Sequence, residues 1–307
     1  VEGNFQLEPR STDFGFVMRD AFRIDFAASA RAYRDFHAKW AERVAAEAAW
    51  LAAQQPDRVL SNVAYLPLAA AARQGIPACA MSSLDWSDLF AHAFGGEHWA
   101  QPIHAQIRAA YAGARFFIEL TPAMLMPDLP HRRRVGPVAH LGQRRRGELG
   151  ALLGVPPGAR LVAVMLGGID TQLSLAGWPL PDDVHLLVPE AWSRAHPRLH
   201  ALEPLGWHVT DLIASVDALI GKPGYGTFVE AACNGTPMLY ALREDWPEQP
   251  ALVEWFSREA RGIAISAASL HKGEFMPALD ALFALPARQA PQPTGVEEAA
   301  ALLAGMA

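Results

Sequence analysis

The stretch "KPGYGTFVEAACNGTP", Lys222–Pro237, follows the apolar run "DALIG" and joins a buried strand to a helix through a lysine, a proline and two glycines. In an open parallel sheet ligands sit beyond the carboxyl ends of the strands, and this turn lies at such an end. Gly224 and Gly226 leave out side chains where a backbone bends sharply or a ligand comes close. The helix that follows offers unpaired N–H groups and about half a positive charge at its start. Such a corner favours a phosphate. Thr227 and Glu230 have the spacing of a capping box, Gly235 fits the helix stop and Pro237 the start of the next strand. Turns of this kind also occur where nothing binds, so the stretch alone reads both ways. It is neither of the common phosphate fingerprints. Gly224-x-Gly226-x-x-Val229 lacks the third small residue of a dinucleotide loop, and Lys222 precedes the glycines, unlike a P-loop.

Working outward, "ARLVAVMLGG" is a continuous apolar run suited to a strand buried on both faces, and Gly167-Gly168 ends it. "DDVHLLVPE", "TPMLYAL" and "IAIS" read as further strands; "TDLIASV", "TFVEAACNG" and "EQPALVEWFSREARG" read as helices. This alternation predicts a doubly wound parallel sheet. Upstream, Tyr33, Phe36, Trp40, Val44, Ala48 and Leu51 recur at steps of three and four and predict one long helix over 27–55. "PDRVLSN", "LPLAAAARQG" and "IPACAMS" then form a βαβ unit, followed by the helical "AQPIHAQIRAAYAGA" and the strand "RFFIEL". "HRRRVGPVAHLGQRRRGELGALLG" reads as an interdomain passage, its clusters Arg132–Arg134 and Arg144–Arg146 being solvated charges or phosphate contacts. The opening twenty residues are irregular, and "TGVEEAAALLAGMA" predicts a last helix. The boundaries are 1–138, 139–293 and a C-terminal helix over 294–307.

A chain of 307 residues, 51% apolar, can bury two ordinary cores. The net charge of −6 speaks against nucleic acid or an anionic membrane as partner. The two cysteines, Cys79 and Cys233, lie too far apart for a Cys-x-x-Cys zinc site and read as small core residues of a reducing cytoplasm. No run is long enough for a transmembrane segment, and no signal peptide is expected.

"DLIASVDALIGKPGYGTFVEAACNGTPMLYALREDWPEQPALVEWF" resembles the donor-binding half of GT-B glycosyltransferases, the MurG-like group above all. It is more similar still to the glycosyltransferase-like N-terminal region of L-arabinokinases, whose loop also reads Gly-Lys-x-Gly-Tyr-Gly-Thr. "LVAVMLGG" is similar to the first strand of that half, and "PDRVLSN…GIPACAMSSLDW" more loosely to the acceptor half. The resemblance implies two Rossmann-like α/β domains with parallel sheets, the N-terminal one on the acceptor side and lacking its first βα unit. It also implies that Gly224, Tyr225, Gly226 and Thr227 cradle the donor diphosphate, approached by Gly167 and Gly168. Glu230 would hold the ribose, His208 and Val209 would lie near the base, and Asp245 and Gln249 would hold the sugar. Glu230 reads equally as a capping carboxylate, and His208 and Gln249 as solvated loop residues.

Breaking the bond from an anomeric carbon to a diphosphate leaves negative charge on the leaving group. No Asp-x-Asp occurs to hold a metal, whereas backbone donors, a helix start and Lys222 or Arg243 can supply the charge without one, Lys222 reading equally as a surface lysine. The expectation is therefore metal-independent transfer of a sugar from a nucleotide-diphosphate donor, a UDP-sugar, to an acceptor hydroxyl of unknown identity, with no cofactor. Nucleotide-sugar hydrolase or epimerase, or a non-catalytic nucleotide-sugar-binding module, are the alternatives. A kinase role is disfavoured, since no P-loop is present. Asp85 in "SSLDWSD" is the candidate general base because it follows an acceptor-half strand, and it reads also as a helix N-cap. His92, His98 and His104 read as surface or packed residues, and Trp86 and Trp99 as packing or as sugar-stacking faces.

Overall fold

A computed structural model of the chain describes residues 5–168, 171, 173, 175–194 and 196–306; residues 1–4 of the irregular opening lie outside the described residues. The first half runs α1 Phe26–Ala38, α2 Trp40–Gln54, β1 Val59–Ser61, α3 Leu66–Gln74, β2 Ala78–Ser82, α4 Trp86–Phe94, α5 Ala100–Ala112, β3 Phe116–Leu120 and β4 Arg132–Val135. The four strands form a parallel sheet in sequential order. The single helix expected over 27–55 is two, turned at Lys39. The turn sets the His37 ring flat against Trp40, 5.1 Å between centroids, while its nitrogens meet Gln106 and the Tyr65 hydroxyl.

A second correction concerns Arg132–Arg134, which form a strand, not a linker. In register beside β3, Arg134 stands opposite Glu119, and Arg132 and Arg134, two apart and so on one face, both bond its buried carboxylate. Arg145 and Arg146 likewise bond Asp211 and Asp217. These arginines are spent on internal acids.

The second half runs α6 Arg146–Leu153, β5 Arg160–Met165, β6 Val184–Val188, α7 Glu190–Ser193, β7 Leu199–Ala201, α8 Val209–Ser215, β8 Ala218–Gly221, α9 Tyr225–Cys233, β9 Met238–Ala241, α10 Gln249–Glu259, β10 Gly262–Ile265, α11 Ala267–Lys272 and α12 Met276–Ala284. Its six strands are parallel in the order β10-β9-β8-β5-β6-β7. The apolar run of β5 is buried on both faces as predicted. Val162 and Val164 belong to one core, and Leu161 and Ala163 to the other. From β5 the chain winds outward through β6 and β7, then crosses back to β8 and winds the opposite way. The carboxyl ends of β5 and β8 therefore flank the point where strand order reverses, where a doubly wound sheet opens a crevice.

The halves are stitched at several places. The helix α13, Gly295–Ala304, returns to the first sheet and puts Ala299 in a core with Ile118 and Val135. The irregular opening laces both cores, with Phe16 in the first and Phe22 in the second. Cys79 and Cys233 are free and buried. Among the described residues no helix is long and apolar enough to cross a membrane.

Candidate functional site at the reversal of strand order

Met165 and Gly221 are register partners at the ends of β5 and β8, so the loops that leave them face one another. From β5 comes Gly167, at φ +82°, a left-handed conformation that a side chain strains. From β8 come Lys222, Pro223 and Gly224. The Lys222 ammonium lies between the two loops, 3.6 Å from where a Cβ would stand on Gly167 and 3.6 Å from the same point on Gly224. A Gly167→Ala variant is expected to lose about 1–2 kcal/mol in denaturant unfolding from its positive φ alone. Gly168→Ala, whose added carbon meets nothing within 4 Å among the described residues, is the control expected to lose less.

The helix α9 begins at Tyr225 with extended Gly224 as its N-cap, and no side-chain cap bond is made there among the described residues. The capping box expected of Thr227 and Glu230 is therefore absent, because the N-cap is Gly224, three residues earlier, and Thr227 lies inside the first turn. The amides of Tyr225, Gly226 and Thr227 have no partner within the helix, and Thr227 borders a cavity together with Gly167. The Tyr225 side chain turns away from it: its hydroxyl donates to the Thr121 carbonyl at 3.2 Å and accepts from the Val138 N–H at 3.0 Å. Tyr225 thus offers the crevice only its backbone.

Burial, reinforced by the positive charge of Arg243 and opposed by Glu248, lowers the Lys222 pKa to about 8. Arg243 is depressed by burial as well; its guanidinium lies 4.4 Å over the Trp246 ring, and among the described residues its Nε has no hydrogen-bond partner. Glu248, 3% exposed, answers these two cations and accepts from Ser83 Oγ at 2.6 Å and Trp246 Nε1 at 3.0 Å. Two half-buried cations beside an unpaired helix start form a focused positive corner within a chain of net charge −6. Glu248, Ser83 and Trp246 were not singled out in the sequence. Their only local signal is an acid and an aromatic in the loop just before α10.

Thr227 and Gly167 also line an adjoining cavity of about 380 Å3 with Pro189, Leu202, Trp207 and Val209. Arg145 lies 3.7 Å over the Trp207 ring. Trp207, a residue the sequence reading passed over, gives this cavity a flat wall fit for a planar ring. His208 caps α8, its Nδ1 2.7 Å from Thr210 Oγ1, and faces His140. The Glu230 carboxyl is raised by burial and held down by these two histidines.

Three expected residues are engaged elsewhere. Gln249 accepts from the Arg243 N–H at 2.6 Å and donates back to its carbonyl, which closes the 243–249 loop. Asp245, at φ +50°, meets His92 Nε2 at 2.6 Å across the cleft between the halves. Asp85 takes the capping role, with Asp88 N–H on its Oδ1 at 2.9 Å. Burial first and then Asp88 push its pKa to about 7, but it lines a separate cavity of about 240 Å3 with Asp88, Arg108 and Asp128. None of the residues from the two glycine loops borders that cavity. A larger hollow of about 800 Å3 lies by Arg160, at the opposite end of β5 from the glycine loops. Trp99 packs on Arg34 and Phe94.

No family model matches the sequence. L-arabinokinase of Arabidopsis thaliana is 28% identical over 274 residues, 87% of this chain and 26% of that protein. The chain thus spans about a quarter of the length of this curated relative. Among solved structures, spinosyn forosaminyltransferase SpnP superposes with a TM-score of 0.58 at 17% identity, covering 83% of this chain and 78% of that one. The calicheamicin glycosyltransferase CalG4 gives 0.55 at 16%, covering 85% and 73%. The glycosyltransferase VinC, in complex with dTDP, gives 0.51 at 19%, covering 85% and 72%. The fold is that of the GT-B glycosyltransferases, two parallel-sheet domains facing one cleft.

Proposed function

We propose that this protein is a glycosyltransferase that moves a sugar from a UDP-sugar to an acceptor hydroxyl without a metal ion. The observation that carries the reading is the positive corner at the strand reversal, where an uncapped helix start and the Lys222 ammonium converge beside two glycine loops. The diphosphate lies across the amides of Gly224–Thr227 with Lys222 and Arg243 beside it, and the base lies against Trp207 in the 380 Å3 cavity. Negative charge grows on the diphosphate as the anomeric bond breaks, and these fixed donors stabilise it in a partly dry site. The dTDP in the complex of VinC, a fold neighbour, supports a pyrimidine nucleotide as the ligand class. Glu230, framed by His140 and His208, is the acceptor offered to the ribose hydroxyls.

Calorimetry with UDP, UMP and uridine tests the corner. Affinity is expected to fall at each loss of a phosphate, and UDP that gives no heat removes the reading. A panel of UDP-sugars then sorts the outcome. UDP released only when an acceptor is added marks transfer, free sugar without acceptor marks hydrolysis, and binding without product marks a sensing module.

A further inference from the structure

A cavity of about 460 Å3 lies in the cleft between the halves, lined by Asp13 and Phe16 from the opening segment, Asn62, Trp86, and Arg243 and Trp246 from the loop after β9. It shares Arg243 with the positive corner, and the charge of Arg243 acts directly on Lys222. An acceptor seated here therefore adjoins the place where the sugar–diphosphate bond breaks. The wall is aromatic: Phe16 stands edge-on to Trp86 at 6.0 Å and to Trp246 at 6.3 Å. Into this wall projects one carboxylate. Trp86 Nε1 donates to Asp13 Oδ2 at 2.8 Å, and among the described residues no basic side chain forms an ion pair with Asp13. Burial raises its pKa and the indole bond lowers it. An unpaired carboxylate in a largely apolar wall is unfavourable for folding and marks a functional position. Its setting is also fixed: Gly15, at φ +61°, lets the segment press on the indole, where a Cβ would come within 2.7 Å of the ring.

We infer that Asp13 is the general base of this chain and that the 460 Å3 cavity receives a hydroxylated acceptor with a flat apolar face. The inference rests on the UDP-sugar reading above. Asp13 Oδ1, the oxygen left open by Trp86, takes the proton of the acceptor hydroxyl as that oxygen bonds the anomeric carbon. The bond from that carbon to the diphosphate breaks, its electron pair leaves with UDP, and the proton passes from Asp13 to water. Trp86 is a positioning residue, holding the carboxylate by its other oxygen. Asp85, the candidate from the sequence, has one oxygen on its own helix and opens on a different cavity.

The test uses the full chain, UDP-sugars of glucose, galactose, xylose and arabinose, and 4-nitrobenzyl alcohol or methyl glucoside as acceptors, whose hydroxyls stay protonated without a base. Asp13→Asn is expected to lower kcat by about 100-fold or more, the span of a general base, while UDP binding stays within about twofold. The ascending limb of the pH–rate profile is expected to disappear. Trp86→Phe keeps a ring but deletes the donor, so the limb moves to higher pH, since that bond holds the Asp13 pKa down. The other titratable or charged groups around Asp13 are Tyr33, Tyr65 and Arg243, and the tyrosines, both raised above 10, stay neutral through this range. Transfer by Asp13→Asn within threefold of wild type, or a limb unmoved in Trp86→Phe, overturns the inference. So does a wild type that binds UDP yet uses neither acceptor. A wild type that does not bind UDP instead removes the donor reading, and the inference falls with it.

Discussion

A Lys222→Met variant is expected to bind UDP about 100-fold more weakly than wild type and yet to melt at a higher temperature. The two effects share one cause. Lys222 is held between two glycine loops with a pKa lowered to about 8 from the ordinary 10.5. A folded pKa below the unfolded one means that the unfolded chain holds more protons between pH 8 and 10.5, so wild-type stability rises with pH across that window. Below about pH 8 both states are charged and the whole penalty is present, up to about 3 kcal/mol. Methionine follows the same path with an apolar stem and removes it. The same desolvation strengthens a charge-assisted bond to phosphate, so the lost ammonium weakens binding by about 2–3 kcal/mol. Wild-type affinity for UDP is expected to decline above pH 8 as Lys222 loses its proton, and the variant's to lack that decline. Calorimetry at pH 7 and pH 9, with melting curves at each, reads both. UDP binding by the variant within a few-fold of wild type separates Lys222 from the diphosphate.

What the sequence conveyed was local. The apolar run over Leu161–Val164 and the strand–turn–helix order around Lys222–Gly224 carry their meaning within a few residues, and both fall where the local pattern placed them. What it hid was long-range. Arg132 and Arg134 look like linker charges until β3 brings Glu119 beside them. Asp13 looks like turn punctuation until Trp86, 73 residues on, donates to it. Ser83 and Glu248 meet across 165 residues. The misjudged start of α9 has the same origin. Thr227 and Glu230 satisfy the spacing rule for a cap, but the Tyr225 hydroxyl is anchored at Val138 and Thr121 on the other half, and the helix begins with it. Tertiary anchoring overrode local capping there, and it left the first turn without the side-chain cap that would have competed with a ligand.

Glu248 supplies the second large effect, and its substitution by glutamine separates charge from shape. Ser83 Oγ and Trp246 Nε1 both donate to the carboxylate, each to a different oxygen. Glutamine keeps one acceptor oxygen for the Trp246 indole, which can only donate, so the Ser83 hydroxyl must turn from donor to acceptor at the amide N–H2, and Lys222 and Arg243 lose the acid that opposes their burial. A loss of about 2–4 kcal/mol in denaturant unfolding follows from the weakened charge-assisted bonds and the uncompensated cations. The effect on binding has a distinct sign. Glu248 holds the Lys222 pKa up, so without it that pKa falls below about 8 and the ammonium is partly neutral at pH 7.5. UDP affinity is then expected to drop at pH 7.5 and to recover toward wild type at pH 6. In the double variant with Lys222→Met, the stability loss from Glu248→Gln is expected to shrink, because one of its two cations is gone; the difference measures their coupling. A pH dependence of UDP binding identical in wild type and Glu248→Gln breaks the link between this acid and the lysine, and leaves burial alone to set the charge of the corner.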